Sequence, residues 1–273
     1  MASAFRDEPK YNLPDGTFLS IMKCAATVMP PHFHHRRAHV FKSLLPIVQR
    51  IRLERIPPGV CRAAAPVAEQ RGASVGSAID LGCGTGVLCE ALHAADIDTL
   101  GVDLSREMIG IARQRSPGLR YAVADIVDLP DLGRFDLATC TGDAINHIPS
   151  LGDVGRVFGN VHATLTPGGY FVFDLLNPTE VAPGEPFEVP CGEKGLVRFL
   201  TEDRGDGRIA LHIDMFEDGA PRFSETIREV VHDVDAVLDL LRRRGFIILQ
   251  CADRLLLDSD NHGTTWFIAA QRA

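Results

Sequence analysis

The chain has 273 residues, 45% hydrophobic and 23% charged, and its 36 acidic against 28 basic side chains give a formal net charge of -8. That is enough chain and apolar content for one substantial α/β domain with insertions. The negative balance argues against a general phosphate-binding surface, so DNA and bulk RNA are excluded as partners. No apolar run approaches the roughly 18 residues of a membrane span, and Met1–Lys10 holds no signal-like apolar core. The seven cysteines (Cys24, Cys61, Cys83, Cys89, Cys140, Cys191, Cys251) are odd in number and form no C-x-x-C pair. They read as free thiols of a reducing, cytoplasmic setting rather than a disulfide framework or zinc site.

Residues 1–75 are cut by Pro30-Pro31, Pro46, Pro57-Pro58 and Pro66 into short helical pieces, with Val40, Phe41, Leu44, Ile47, Val48 and Ile51 on one face. We read them as an N-terminal helical cap. Within it, His32, His34 and His35 precede Arg36 and Arg37. H-x-H-H lacks the i,i+4 spacing of helical zinc ligands, so the cluster reads as a polar helix start or as part of a lid, and no metal is expected.

From Ser77 onward strands and helices alternate, which implies a parallel sheet. The pattern predicts strands at Ser77–Leu81, Thr99–Val102, Leu119–Val123, Phe135–Thr141 and Tyr170–Leu175. Helices are expected at Val87–Ala95, after Ser105 with a stripe of Leu104, Met108, Ile111 and Ala112, and after Ser150 with Asp153 reaching back to the cap. Thr166-Pro167-Gly168-Gly169 should end the last of these. The alternation then stops. Val197–Glu202, Arg208–Phe216 and Phe223–Val231 look like strands joined by Asp206-Gly207 and Asp218-Gly219 turns, an antiparallel insertion at about 178–231. Phe187, Phe199, Phe216 and Phe223 could line a pocket there or form its own small core, and its surface could serve a homodimer. A helix over Val234–Arg244, closed by Gly245, leads to two final strands, Phe246–Ala252 and Thr264–Ala270. Residues 76–273 thus form one domain.

The most informative stretch is Ala78-Ile-Asp-Leu-Gly-Cys-Gly-Thr-Gly86. An apolar strand runs into Gly82, Gly84 and Gly86, where glycine permits a sharp turn and close approach of a ligand to bare backbone. This is a cofactor loop at the C-terminal edge of a parallel sheet. The dinucleotide fingerprint is G-x-G-x-x-G, and here the third glycine comes one residue early. Asp80 would repel a pyrophosphate but could pair with an ammonium group. Asp103 ends the second strand 17 residues after Gly86, where a carboxylate can accept both ribose hydroxyls.

The D-x-G-x-G-x-G form resembles the first motif of the class I S-adenosylmethionine-dependent methyltransferases. Asp103, Asp125 after the third strand, Phe135–Thr141 and Leu165–Gly169 follow in the order that family shows. The resemblance implies a Rossmann-like, doubly wound seven-stranded sheet with the last strand antiparallel, and S-adenosylmethionine as cofactor. It implies that Asp125 accepts the adenine amino group and the Ile126 amide contacts the ring. It further places Leu104, Met108 and Thr141 at the cofactor and lets Arg36 or Arg37 pair with the methionine carboxylate. The catechol-type metal set is not matched, because Asp174 and Asn177 are not adjacent.

Asp143, Asn146 and His147 follow the fourth strand, at the rim where the methyl group should point. His147, with an ordinary pKa near 6.5, is the candidate general base, and Asn146 a ligand-orienting residue. The resulting expectation is methyl transfer to an N or O atom of a small molecule, in secondary metabolism. Cyclisation or aminocarboxypropyl transfer on the same cofactor is the alternative, and a non-catalytic binder a further one. A nicotinamide-dependent oxidoreductase is disfavoured by the early third glycine.

Overall fold

Why an apolar five-residue strand should be followed at once by a helix becomes clear from its surroundings in the computed structural model, which describes residues 75–177, 184, 186–191, 194–252 and 265–273. Strand β1 (Ser77–Leu81) is buried on both faces and pairs in parallel with β2 (Asp98–Asp103) and β4 (Phe135–Cys140). β3 (Arg120–Val123) extends one edge beside β2, and β5 (Leu165–Leu176) pairs with β4. β10 (Phe246–Ala252) and β11 (Thr265–Arg272) complete the other edge. The sheet order is β10-β11-β5-β4-β1-β2-β3, and β11 runs antiparallel to both its neighbours. The strand order reverses at β1 and β4, which is where an open α/β sheet leaves a crevice for a ligand.

Among the described residues four helices cover this sheet: α1 (Val87–Ala94), α2 (Arg106–Arg115), α3 (Leu151–Thr164) and α4 (Val234–Arg243). Val154, Val157, Phe158 and Val161 of α3 and Val237 and Leu241 of α4 pack on Ile79, Leu81, Phe171 and Phe173. Phe171 and Phe173 stack at 4.7 Å, with Phe158 edge-on to Phe171. On the opposite face Leu92 of α1 joins Ala78, Leu137, Val172 and Ala269. Ser150 caps α3 by accepting from the Asp153 amide, and Ser105 caps α2 through the Met108 amide, both as the sequence predicts.

Two details differ from expectation. The buried side of α2 is Ile109 and Ala112, while Leu104 is 68% exposed outside the helix. β5 begins at Leu165, not Tyr170: Leu165 pairs with Phe135 and Tyr170 with Leu137, so residues 166–169 bulge against Asp136. The Asp136 carboxylate explains the bulge, since it accepts from Thr166 Oγ1 and, on its other oxygen, from the Gly76 and Ser77 amides.

The insertion is a second, four-stranded antiparallel sheet, β6 (Phe187–Cys191), β7 (Gly195–Gly205), β8 (Arg208–Glu217) and β9 (Ala220–Val230). β6 was not predicted. Asp206, Gly207, Asp218 and Gly219 all have positive φ, the paired left-handed geometry of two-residue hairpins whose twist matches the strands. Of the phenylalanines expected to line a pocket or form one small core, Phe199, Phe216 and Phe223 do not all share a face. Phe199 and Phe223 share one face, whereas Phe216 lies on the other under the Arg198 guanidinium, 5.0 Å from its ring centre.

Candidate active site

The glycine loop leaves β1 with φ of +71° at Gly82, +54° at Gly84 and +79° at Gly86. A Cβ on Gly82 would lie 2.8 Å from Ala144, so the loop is pressed against the turn that follows β4. Among the described residues a Cβ on Gly84 would meet nothing within 4 Å, so its bare backbone is open there. Gly84 donates its amide to Asp103 Oδ2 at 2.8 Å, and Ser105 donates to Oδ1 at 2.8 Å. Each oxygen keeps a lone pair, so Asp103 is fixed beside the loop and able to accept two further bonds. That suits a vicinal diol.

Asp103 pairs in register with Val123, and the Ala124 amide donates to the Asp103 carbonyl, which holds the segment of Asp125 alongside. Asp125 Oδ1 accepts from the Val127 amide at 2.8 Å, an Asx turn that fixes the carboxylate two residues beyond the strand. Ile126 is half-buried between Asp125 and the main core. Leu104, 68% exposed, and Val123, 36% exposed, present apolar surface at the same strand tips. A flat aromatic ring needs such surface. Met108 is half-buried in the first turn of α2, and Thr141 half-buried at the end of β4. The chemistry of this edge (open glycine backbone, a diol acceptor, an amino-group acceptor and apolar walls) fits the adenosine half of S-adenosylmethionine. Arg37 and the His32/His34/His35 cluster lie outside the described residues.

Asp80 is placed differently from expectation. It is 2% exposed, turned into the sheet, where it accepts from Thr139 Oγ1 at 2.7 Å and from Cys89 Sγ at 3.5 Å. A direct pair with a cofactor ammonium is therefore corrected to a buried carboxylate beneath the loop. Burial is the main cause that pushes its pKa up to about 7, opposed by the Thr139 and Cys89 hydrogen bonds.

The turn after β4 is fixed by Asp174, whose two oxygens accept from the Gly142 and Asp143 amides at 3.0 and 3.1 Å. This lets Asp143 adopt φ +64° before a short 3-10 turn, Ala144–His147. Asn146 is fully buried. Its Nδ2 donates to the Val230 carbonyl at 2.8 Å and its Oδ1 accepts from the Leu176 amide at 3.1 Å. Expected to orient a ligand, Asn146 instead ties the ends of β9 and β5 to this turn, because both ends of its amide are held by backbone.

His147 ends this short turn, with its side chain 49% exposed. Its Nε2 lies 3.7 Å from Oε1 of Glu229, a carboxylate of β9 that is only 12% exposed. Next to this pair His232, 4% exposed, donates Nε2–H to the Ile148 carbonyl at 2.9 Å. Burial lowers the His232 pKa below 6.5, against the opposing pull of its backbone hydrogen bonds. Glu229 and His232 escaped the sequence reading. The period-2 spacing of Glu225, Ile227 and Glu229 was the available signal for one acidic strand face.

Comparison with known proteins agrees with this geometry. A methyltransferase-domain profile matches residues 78–169, from β1 to the bulge of β5. A ubiquinone biosynthesis O-methyltransferase of Methylococcus capsulatus is 37% identical over 106 residues, 37% of this chain and 43% of that relative, so the chain spans under half of its length. An S-adenosylmethionine-dependent methyltransferase from Clostridium acetobutylicum superposes with a TM-score of 0.63 at 26% identity, over 71% of this chain and 83% of the other. The S-adenosylmethionine-bound amino pentose methyltransferase CalS10 from Micromonospora echinaspora shares the fold, with a TM-score of 0.66 at 20% identity over 85% of this chain and 91% of the other. The profile lies on the strands that build the glycine loop and its two carboxylates, so residues 78–169 form a methyltransferase domain, in a chain whose fold is similar to that of S-adenosylmethionine-dependent methyltransferases.

Proposed function

We propose that this methyltransferase transfers its methyl group to a nitrogen or oxygen of a small molecule in a biosynthetic pathway, with His147 as the general base. The observation that carries this reading is the placement of His147 on the turn pressed against Gly82, so that the only imidazole at the rim stands beside the cofactor loop among the described residues. Bound S-adenosylmethionine supplies a methyl carbon already activated by its sulfonium, and the acceptor gains that methyl as the sulfur keeps the bonding pair. The chain's own residues therefore align the acceptor and take its proton. Asp103 and Asp125 fix the adenosine, Gly84 lets it approach the backbone, and His147 accepts the proton.

A small-molecule acceptor is supported by the second sheet, which meets the turn after β4 through Asn146 and His147. The O-methyltransferase relative and the amino pentose methyltransferase of the same fold point the same way. No helix among the described residues is long and apolar enough to cross a membrane.

The test is product analysis with methyl-labelled cofactor and a panel of small nitrogen and oxygen nucleophiles. S-adenosylhomocysteine together with a labelled acceptor is expected; methylthioadenosine as the product would overturn methyl transfer in favour of aminocarboxypropyl transfer. His147→Ala should lower turnover by about 10²–10⁴-fold, the usual worth of a general base, while cofactor affinity stays within twofold. Unimpaired turnover removes His147 as the base.

A further inference from the structure

A small core lies apart from the clusters that hold the sheet and its helices together. Cys83 of the glycine loop, Cys89 of α1, Ile109 and Ala112 of α2 and Tyr121 of β3 pack on one another, each 9% exposed or less. Each of these elements carries or adjoins part of the cofactor site. They are the loop itself, the helix that follows it, the helix capped by Ser105 beside Asp103, and the strand that leads to Asp125.

Tyr121 is the large member of this cluster. It pairs in register with Gly101 of β2, so the two side-chain positions point to the same side of adjacent strands. A Cβ on Gly101 would lie 2.6 Å from the ring Cδ1, 2.8 Å from Cε1 and 2.9 Å from Cys83 Sγ. Gly101 does not have a positive φ, so its backbone would accept any residue. The ring and the Cys83 sulfur are what keep the position bare. From there the ring runs on beneath Gly86, where an added Cβ would lie 3.0 Å from Cε1 and from Cζ and would overlap the hydroxyl oxygen. One ring thus fills the space left by two glycines, one in a strand and one in the loop.

Backbone bonds carry this contact onward to the cofactor side. The Gly86 amide donates to the Cys83 carbonyl at 3.0 Å, and the Cys83 amide to the Val102 carbonyl at 2.9 Å. Between them, Gly84 donates to Asp103 Oδ2 at 2.8 Å. The ring's own strand is held in turn, since Arg113 of α2 donates to the Tyr121 carbonyl at 2.9 Å. Glu90 of α1 accepts from Arg115 and Ser116, which ties the two helices together above the cluster.

We infer that Tyr121 is a positioning residue for the cofactor: its ring is the floor that holds the glycine loop in the shape that receives S-adenosylmethionine. This rests on the cofactor reading above. Tyr121 acts through Gly86 and Cys83, not by contact with the cofactor. An aliphatic side chain at this strand position ends short of Gly86 and leaves a void, and a loop that sinks into it draws the Gly84 amide away from Asp103. A site held slightly out of shape binds weakly even in a folded chain. A chain that is only less stable, yet still folded, binds as before.

The test is calorimetric titration of S-adenosylhomocysteine into the full chain and its variants, with urea unfolding to establish that each is folded under the titration conditions. Tyr121→Phe keeps the ring and should bind within about twofold of wild type, whereas Tyr121→Leu should bind about tenfold more weakly or worse. Leu241→Ala opens a cavity in the main core under α4; it should lose stability yet bind within about twofold. Gly101→Ala pushes the ring and Cys83 away from β2 and should also weaken binding by about tenfold or more. It carries the test alone if Tyr121→Leu does not fold. Folded Tyr121→Leu binding within twofold of wild type overturns the assignment, as does equal weakening in Tyr121→Phe or in Leu241→Ala. If neither Tyr121→Leu nor Gly101→Ala folds, the ring serves stability alone and the assignment falls as well. Failure of the wild-type chain to bind S-adenosylhomocysteine would instead strike the cofactor reading beneath it.

Discussion

Two aspartates separated by 23 positions show how the same side chain is put to opposite uses by its surroundings. Asp103 accepts one backbone amide on each oxygen and stays at the edge of the sheet. Asp80 is sealed under the loop, and burial raises its pKa from 3.8 to about 7. A carboxyl group whose folded pKa lies above its unfolded value binds more protons in the folded state. Its contribution to stability is thus fully present below pH 3.8 and is lost as pH rises through about 7. A shift of this size corresponds to about 4 kcal/mol across the window. Asp80→Asn, which keeps an acceptor for Thr139 without the charge, should therefore gain on the wild type as pH rises. In urea unfolding the difference between the two should grow by on the order of 2–4 kcal/mol from pH 4 to pH 8; a difference flat in pH would contradict the buried, proton-holding carboxylate. Asp103, Asp125 and the three glycines were legible because each lies within a few residues of a strand end that the sequence marks. Asn146 was not. Its amide is held by Val230, 84 residues further on, and no local pattern reports that such a strand will arrive.

Among the elements, the alternating core strands and the Asp-Gly hairpins declare themselves, since period-2 apolar runs and left-handed turn residues are local signals. β6 does not, because Pro190 within Phe187–Cys191 demotes the run to a non-strand on sequence grounds, and an edge position tolerates it. The attachment of β9 to the turn after β4 is the joint on which the acceptor side depends. Asn146→Ala leaves the Val230 carbonyl and Leu176 amide without their partner, and should cost about 2–4 kcal/mol in urea unfolding. It should also speed amide exchange along the end of β9. A loss below about 0.5 kcal/mol would mean that the joint is held elsewhere. His232 makes this joint sensitive to acid. Its folded pKa lies below the unfolded 6.5, so the folded state binds fewer protons; the contribution of His232 is present above pH 6.5 and is lost as pH falls from there toward the lowered value. His232→Gln, an amide that can still donate to Ile148 and carries no titrating charge, should lose less thermal stability than wild type between pH 7.5 and 5.5. Equal losses would show that His232 is not the acid-sensitive group.

The whole molecule divides by legibility as it divides by task. The cofactor half, residues 78–169, is built from loops one to six residues past strand ends, and both the motif order and the domain profile find it. The proposed acceptor half is assembled from the turn after β4 and from β9, which begins 73 residues beyond His147 at Ala220. Its chemistry emerges only when β9 is laid beside His147. A doubly wound sheet can carry many activities, so the fold alone decides little; the proposed ribose site rests on the open backbone at Gly84 beside a pre-bonded Asp103. Calorimetric titration of S-adenosylhomocysteine into wild-type chain and Asp103→Ala tests this most directly. One site per wild-type chain is predicted, weakened in the variant by about 1.5–3 kcal/mol, or roughly 10- to 150-fold. No binding to the wild type, or equal affinity in the two proteins, would contradict it.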